Sequence, residues 1–279
     1  MAPIFSLTNA KVKQIRRLRS RHERERTGTF YVEGIRIVAQ AVQSGAPIEM
    51  GVISAELLSS EYGWELVASL RAAGVPIVEL SPAAFASISF KENLQGIGAV
   101  VRPRLESLED IRPALSEVWV ALDAVGNPGN LGAILRTCDA VGCAGVIMLG
   151  DTTDPYHPAA LRASMGAIFA QRLVRATFAD FVRWKCEGGY TVAGASVTAA
   201  HEYRQVAYPS PLVLLMGSER RGLSAEQQAA CDVLVRIPMV GTADSLNLAV
   251  ATSVVLYEIF HQQRRTQRVN AASQAYAAG

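Results

Sequence analysis

Residues 118–139 read VWVALDAVGNPGNLGAILRTCD: an unbroken apolar run, a turn built of glycine, asparagine and proline, then a stretch with helical spacing of its apolar residues. An apolar run without alternation is how a strand covered on both faces reads. A turn leading straight into a 3.6-residue pattern places a helix directly after it. The same strand signature recurs in AGVIMLG (144–150), YTVAGAS (190–196), PLVLLMG (211–217) and DVLVRIP (232–238), with helical stretches between them. The pattern predicts an α/β domain over residues 118–263, with helices on both faces of its sheet. Its last helix spans 246–263. The polar, alanine-rich stretch 264–279 reads as a disordered tail.

Upstream the texture differs. A strand is predicted at 30–32, a helix at 35–43, a strand at 50–53, a helix at 64–73, and strands at 76–80 and 97–101. Gly45-Ala46-Pro47 and Gly74-Val75-Pro76 punctuate them. Residues 1–101 therefore form a small α/β domain with a basic helix at its front. Residues 102–117, which open RPRLESLEDIRP, read as a linker.

Half of the 279 residues are apolar and 19% are charged, which is enough for two buried cores and excludes disorder along the whole chain. No run approaches the length of a membrane span, and Glu23 and Glu25 argue against a transit peptide. Cys138, Cys143, Cys186 and Cys231 form no CxxC pair and have no histidine at metal spacing, so they read as buried, reduced thiols in a cytoplasmic protein with no metal. The net charge of +2 conceals a concentration: residues 11–26, KVKQIRRLRSRHERER, hold eight Lys or Arg against two Glu. Val12, Ile15 and Leu18 give that segment a narrow apolar stripe, so it reads as one helix ending at Thr27-Gly28. Its charge points either to a polyanion partner or to a merely solvated face.

The chemistry candidates lie at three predicted strand ends, where ligands bind in open α/β sheets. There is no GxGxxG, P-loop lysine, HExxH or GxSxG. The first turn carries Asn127, Asn130 and Arg136. Asn130 is placed to cap the helix, and Arg136, less than two turns beyond it and so expected to share its face, reads as a buried cation needing an anion. The second, LLMGSERRGLS, brings Gly217 and Glu219, with Ser224 opening a further helix. The third, IPMVGTADSLNLAVA, brings Ile237, Ser245, Leu246 and Asn247, with Ser245 as the natural helix cap.

Together, NPGNLGAILRTCDAVG, LLMGSERRGLS and IPMVGTADSLNLAVATSVVLYE resemble, in order and spacing, the three motifs of the SpoU (TrmH-type) branch of the SPOUT RNA methyltransferases. FYVEGIRIVAQAV and QGIGAVV are similar to that family's small substrate-binding domain, which is L30e-like. The resemblance implies a SPOUT α/β domain with a deep trefoil knot, a homodimer, and methyl transfer from S-adenosylmethionine to a ribose 2′-hydroxyl of RNA, ribosomal before transfer RNA. It assigns Gly217, Ile237 and Leu246 to the cofactor, and Asn130, Arg136, Glu219, Ser245 and Asn247 to the reaction. Lys11, Lys13, Arg16, Arg17 and Arg19, with Arg162 and Ser164 of DPYHPAALRASMGA, are the expected RNA contacts. His157 stands where the family has Asn or Ser and reads as idle. Arg220 replaces a common glycine and, with Arg221, is a candidate phosphate grip. Because arginine stays protonated, Arg136 is expected to hold the target phosphate by paired hydrogen bonds rather than act as base. A non-catalytic RNA-binding protein of the same fold and a base-methylating SPOUT enzyme are the alternatives.

Overall fold

The computed structural model describes residues 3–90 and 92–277, with side chains up to Thr266 in the last helix. They fall into two units: residues 3–104 with 154–170, and residues 105–153 with 171–277.

The first unit begins with helices α1 (Ala10–Arg17) and α2 (Arg21–Thr27), where one helix is expected. The break lies at Leu18–Ser20, and the side chain of Arg24 holds it by donating to the Leu18 and Arg19 carbonyls at 2.8 and 2.9 Å. Gly28, in the left-handed region at φ +60°, ends α2. There follow β1 (Phe30–Glu33), α3 (Ile35–Gln43), β2 (Ile48–Ile53), α4 (Glu61–Ala72), β3 (Ile77–Glu79), α5 (Pro82–Ile88) and β4 (Ile97–Val101). Helix α5 is not anticipated from periodicity; Ser81 caps it and Pro82 opens it. The strands order β1-β4-β2-β3, with β4 antiparallel to both neighbours and β2 parallel to β3. One core cluster joins Val12, Ile15 and Leu18 to Tyr31, Phe85 and Ile88. The apolar stripe on the basic segment is thus the face by which it folds onto the sheet.

The second unit holds β5 (Val118–Asp123), α6 (Pro128–Val141) and β6 (Gly145–Leu149). The chain then contributes α7 (Pro158–Ser164) to the first unit and resumes with β7 (Arg172–Ala176), α8 (Phe178–Gly188), β8 (Thr191–Ala195), β9 (His201–Glu202), β10 (Leu212–Met216), α9 (Ala225–Ala229), β11 (Val233–Arg236) and α10 (Leu248–Ala277). All seven strands are parallel, in the order β7-β6-β5-β10-β8-β11-β9. The five predicted strands are its centre. Two lie beyond what the sequence pattern predicts, β9 and the edge strand β7, whose RLVRA interrupts its apolar residues with arginine. Trp119, Val174 and Val213 pack with Phe181 and Trp184 of α8, while Leu131, Ile134 and Leu135 of α6 and Val255, Leu256 and Ile259 of α10 bury a second layer.

Four expectations are corrected. The stretch after Arg104 is no free linker: Leu108 and Ile111 enter the second core, and the Trp184 indole donates to the Ile111 carbonyl at 3.0 Å. Residues 154–170 pack with the first unit although they interrupt the second in sequence. Helix α10 runs through the expected tail to Ala277, and the final two residues of that tail lie outside the described residues. Cys138 and Cys143 are buried, but Cys186 is exposed and Cys231 half-buried; all four are free thiols. Among the described residues no helix is long and apolar enough to cross a membrane.

Candidate reaction site

The site is built at the carboxyl ends of β5, β10 and β11. After β5, Asn127 caps α6: its Oδ1 accepts from the Gly129 and Asn130 N–H groups at 2.8 and 3.4 Å, and Pro128 occupies the first helical position. The cap is therefore Asn127 rather than Asn130. An asparagine directly before a proline is the signal that identifies it. Asn130 is thereby free to present its side chain to the loops opposite.

After β10 the chain turns tightly. Gly222 donates to the Ser218 carbonyl at 2.9 Å and Arg221 to Ser218 Oγ at 3.3 Å. Gly217 is required by this turn, because a Cβ there would lie 2.2 Å from the Gly222 carbonyl carbon. The turn projects Glu219 onto the first loop, where its carboxylate accepts from the Gly126 and Asn127 N–H groups, both at 3.1 Å, and from Asn130 Nδ2 at 3.2 Å. Burial alone would raise this carboxyl, but the backbone hydrogen bonds from Gly126 and Asn127 outweigh it and hold Glu219 below the usual carboxylate range. Ser224 caps α9 in a reciprocal box with Gln227, as its position suggests.

After β11, the cap of α10 is Asn247 rather than Ser245: its Oδ1 accepts from Ala249 and Val250 at 2.9 and 3.3 Å. Its Nδ2 donates to Asn130 Oδ1 at 3.0 Å. One relay therefore runs from Glu219 through Asn130 to Asn247, and it ties the three segments together. Each Asn uses both ends of its amide, which fixes the orientation of both side chains.

Two cavities meet here. One, of about 950 Å³, is lined by Gly126, Asn130, Glu219, Ser245 and Asn247 together with Arg220 and Arg221. The other, of about 410 Å³, has Met216, Gly217 and Ile237 in its wall and shares Ser218, Glu219, Arg220, Arg221, Ser245, Leu246 and Leu248 with the first. All three residues assigned to a cofactor thus line one cavity. Its mainly apolar wall, with serine hydroxyls, carboxylates and arginines among its polar groups, fits a nucleoside carrying a charged amino-acid side arm. Among the described residues no group of three or more His, Cys, Asp or Glu could hold a metal ion.

Arg136 stands elsewhere. Six residues beyond Asn130, it is turned by about 240° around α6 at 3.6 residues per turn. It is exposed rather than buried and lines neither cavity, and its side chain forms no hydrogen bond or ion pair among the described residues. The spacing alone indicates this, since only i+3, i+4 and i+7 share a face.

The expected RNA contacts divide as well. Lys11, Lys13 and Arg17 are exposed. Arg16 donates to Ser87 Oγ at 2.7 Å and to the Ser87 and Leu7 carbonyls at 3.2 and 3.3 Å; Arg19 donates to the Ser89 carbonyl at 2.6 Å. Both serve the carboxyl end of α5. Arg162 is exposed on α7, but Ser164 is fully buried and its Oγ donates to the Leu161 carbonyl at 3.0 Å, which removes it from any RNA surface. His157 is structural, since its Nδ1 accepts from Ala159 N–H at 3.1 Å as the cap of α7. Burial first, then the Arg24 cation, lower its pKa and keep that nitrogen available as an acceptor.

Residues 117–257 match the SpoU rRNA Methylase family, and residues 9–99 match the MRM3-like substrate binding domain. The chain is 30% identical over 259 residues to the 23S rRNA (guanosine(2553)-2′-O)-methyltransferase RlmP of Bacillus subtilis, covering 93% of this chain and 99% of that one. It is equally 30% identical over 263 residues to the 23S rRNA (uridine(2479)-2′-O)-methyltransferase of Streptomyces viridochromogenes, covering 91% of each. An AdoMet-bound rRNA methyltransferase structure from Sinorhizobium meliloti superposes with a TM-score of 0.86 at 38% identity, over 95% of this chain and 98% of that chain. The fold, the motif order and these matches agree: the chain belongs to the SpoU rRNA methylase family.

Proposed function

We infer that this protein transfers a methyl group from S-adenosylmethionine to a ribose 2′-hydroxyl of RNA, with ribosomal RNA of the 23S type as its substrate. The relay from Glu219 through Asn130 to Asn247, at the rim of the cavity lined by Gly217, Ile237 and Leu246, carries this reading. When bound, S-adenosylmethionine supplies an electrophilic methyl group on a cationic sulfur. The chain's part is to hold the hydroxyl in line with that methyl group and to exclude competing geometries, and such positioning supplies much of a methyl transfer's rate.

Glu219 is a poor base, since three N–H groups already occupy its oxygens and lower its pKa. It fixes the first loop and, through Asn130, the start of α10. Ser245 forms no hydrogen bond among the described residues and lines both cavities, so its hydroxyl is available to the substrate. Arg220 and Arg221 line both cavities as cations and suit a substrate phosphate. The hydroxyl proton leaves through water or a phosphate oxygen.

A homodimer completes this reading. Val250 and Tyr257, seven residues apart, lie on one stripe of α10, with exposures of 49 and 53%. Beside that stripe, Ser253 Oγ meets Thr137 Oγ1 of α6 at 2.8 Å, one residue from Arg136. Burying the stripe against a second copy gives Arg136 its anion, a phosphate of RNA bound at the partner's site. The trefoil knot and a cytoplasmic location belong to the same proposal.

The test is transfer of label from S-adenosylmethionine to total RNA of a strain lacking the protein, followed by nucleoside analysis. Label in a 2′-O-methylnucleoside is the expected result, and its RNA fragment names the substrate. Label on a base, or none despite cofactor binding and intact ribosomal RNA, would overturn the reading.

A further inference from the structure

The first unit carries a cleft of its own along the outer edge of β1. Ile37, Leu161 and Met165 give it an apolar wall, Phe90 an aromatic one, and Arg36 and Arg162 stand at its rim. The relay residues of the second unit take no part in it.

Phe90 is half-buried, packed against the first core, and fixed in place at the cleft wall. Its backbone N–H donates to Glu33 Oε1 at 2.8 Å, the Tyr31 ring lies 6.2 Å away, and the Arg19 guanidinium sits 5.1 Å over its ring. Arg19 belongs to the basic N-terminal segment, so the aromatic wall and that segment are coupled. Met165 ends α7 at φ +53°, a backbone setting that glycine would adopt at less cost, yet it keeps a large apolar side chain there, 38% exposed at the cleft. Arg36 and Arg162 are exposed, and among the described residues neither guanidinium forms a hydrogen bond or ion pair. Gln95, also at the rim, accepts from Ile35 N–H at 3.0 Å through Oε1, which leaves its amide hydrogens as oriented donors.

An apolar and aromatic slot edged by two uncommitted arginines complements a planar ring flanked by negative charge. We propose that this cleft takes one unstacked nucleotide of the RNA substrate, with its base against Phe90 and the Met165 wall and its flanking phosphates on Arg36 and Arg162. The proposal rests on the RNA-methylation reading above. Single-stranded RNA is recognised in this manner, by stacking on aromatic side chains with arginine on the backbone.

The test uses the full chain and a short single-stranded RNA carrying one 4-thiouridine, crosslinked by light and mapped by mass spectrometry, alongside Phe90→Leu, Arg36→Gln and Arg162→Gln. An adduct on Phe90 or Met165 is expected, together with RNA binding about tenfold weaker in Phe90→Leu. Each arginine variant should show a shallower salt dependence. Calorimetric binding of S-adenosylmethionine monitors the second unit, and the melting temperature monitors the first. The adduct site on the unsubstituted chain decides the matter even if Phe90→Leu fails to fold. RNA bound and methylated with adducts only outside the cleft overturns the inference and spares the methylation reading. RNA neither bound nor methylated overturns both, and equal competition by a short polyglutamate overturns the choice of a nucleotide.

Discussion

The reaction site of the second unit and the cationic face of the first are both polar, yet they use polarity in opposite ways. In the reaction site Glu219, Asn130 and Asn247 are committed to one another, each link joining loops that follow different strands. Their chemistry suits it, because a carboxylate has two oxygens to accept from three N–H groups and an amide both donates and accepts along a relay. On the cationic face, similar residues do dissimilar work. Of the eight cations in residues 11–26, Arg16, Arg19 and Arg24 hold carbonyls and a carboxylate of the protein itself, and Arg21 and Arg26 pair with Glu25 and Glu23. The side chains of Lys11, Lys13 and Arg17 form no hydrogen bond or ion pair among the described residues. A charge count therefore overstates what is available to RNA, whereas a motif of amides and a carboxylate does not overstate its site.

The largest effect is expected where commitment is greatest. Asn130→Ala severs both links of the relay and removes one N–H group that lowers the Glu219 carboxyl. Misplacement of this kind costs on the order of 10²-fold or more in rate. Turnover should fall by about that factor while calorimetric affinity for S-adenosylmethionine changes little. The pH profile sharpens the point. Glu219 has its folded pKa depressed, so its stabilisation of the loops is present above the ordinary carboxylate value of 4.5 and is lost as pH falls through the lower folded value. In Asn130→Ala the acid-side loss of activity should move to higher pH; an unmoved profile would separate Glu219 from the relay.

Arg24 tests the other region. It is 5% exposed, donates to Asp154 at 2.5 and 2.8 Å, and holds the Leu18 and Arg19 carbonyls. Arg24→Met leaves Asp154 without its cationic partner and should cost the first unit about 3 kcal/mol in denaturant unfolding. A loss below about 1 kcal/mol, with RNA affinity reduced instead, would return Arg24 to the RNA-binding set and weaken the contrast.

The layers are legible in the sequence because physics writes them in bulk: five apolar runs form the centre of the parallel sheet, and the three motifs converge as strand ends demand. What escapes is decided by single contacts. Edge strand β7 pairs on one side only and tolerates arginine, so it reads weakly. Capping chemistry misleads by three positions at α6 and by two at α10, because Asn130 and Ser245 are suited to cap but the chain turns at Asn127 and Asn247. The return of residues 154–170 to the first unit has no local signature, since it rests on Arg24 meeting Asp154 and on Phe30 stacking with Tyr156 at a centroid distance of 4.3 Å. The direction of Arg136 is legible: counting turns along α6 separates it from Asn130.

That separation yields a mid-sized prediction. If Arg136 clamps a phosphate at the site of a second copy, Arg136→Lys keeps the charge but loses the planar fork, and turnover should fall about tenfold with the oligomeric state unchanged. Tyr257→Arg should instead separate the copies in sedimentation and abolish turnover. Near-normal turnover of Arg136→Lys would sink the paired hydrogen-bond role.

The smallest effects discriminate within the cationic helix itself. Each phosphate contact with single-stranded RNA contributes about 0.7 to the slope of log affinity against log salt. Replacing Lys11, Lys13 and Arg17 together by alanine should therefore flatten that slope by about 2 and leave the melting temperature in place, because none of the three holds any part of the protein. Arg16→Ala should do the reverse. It removes the bonds to Ser87 and Leu7, lowers the melting temperature of the first unit and leaves the slope nearly unchanged. If Arg16→Ala flattened the slope as much per residue as the triple substitution, the bonds to α5 would be incidental and charge alone would set affinity, which is the reading the contrast between the two regions argues against.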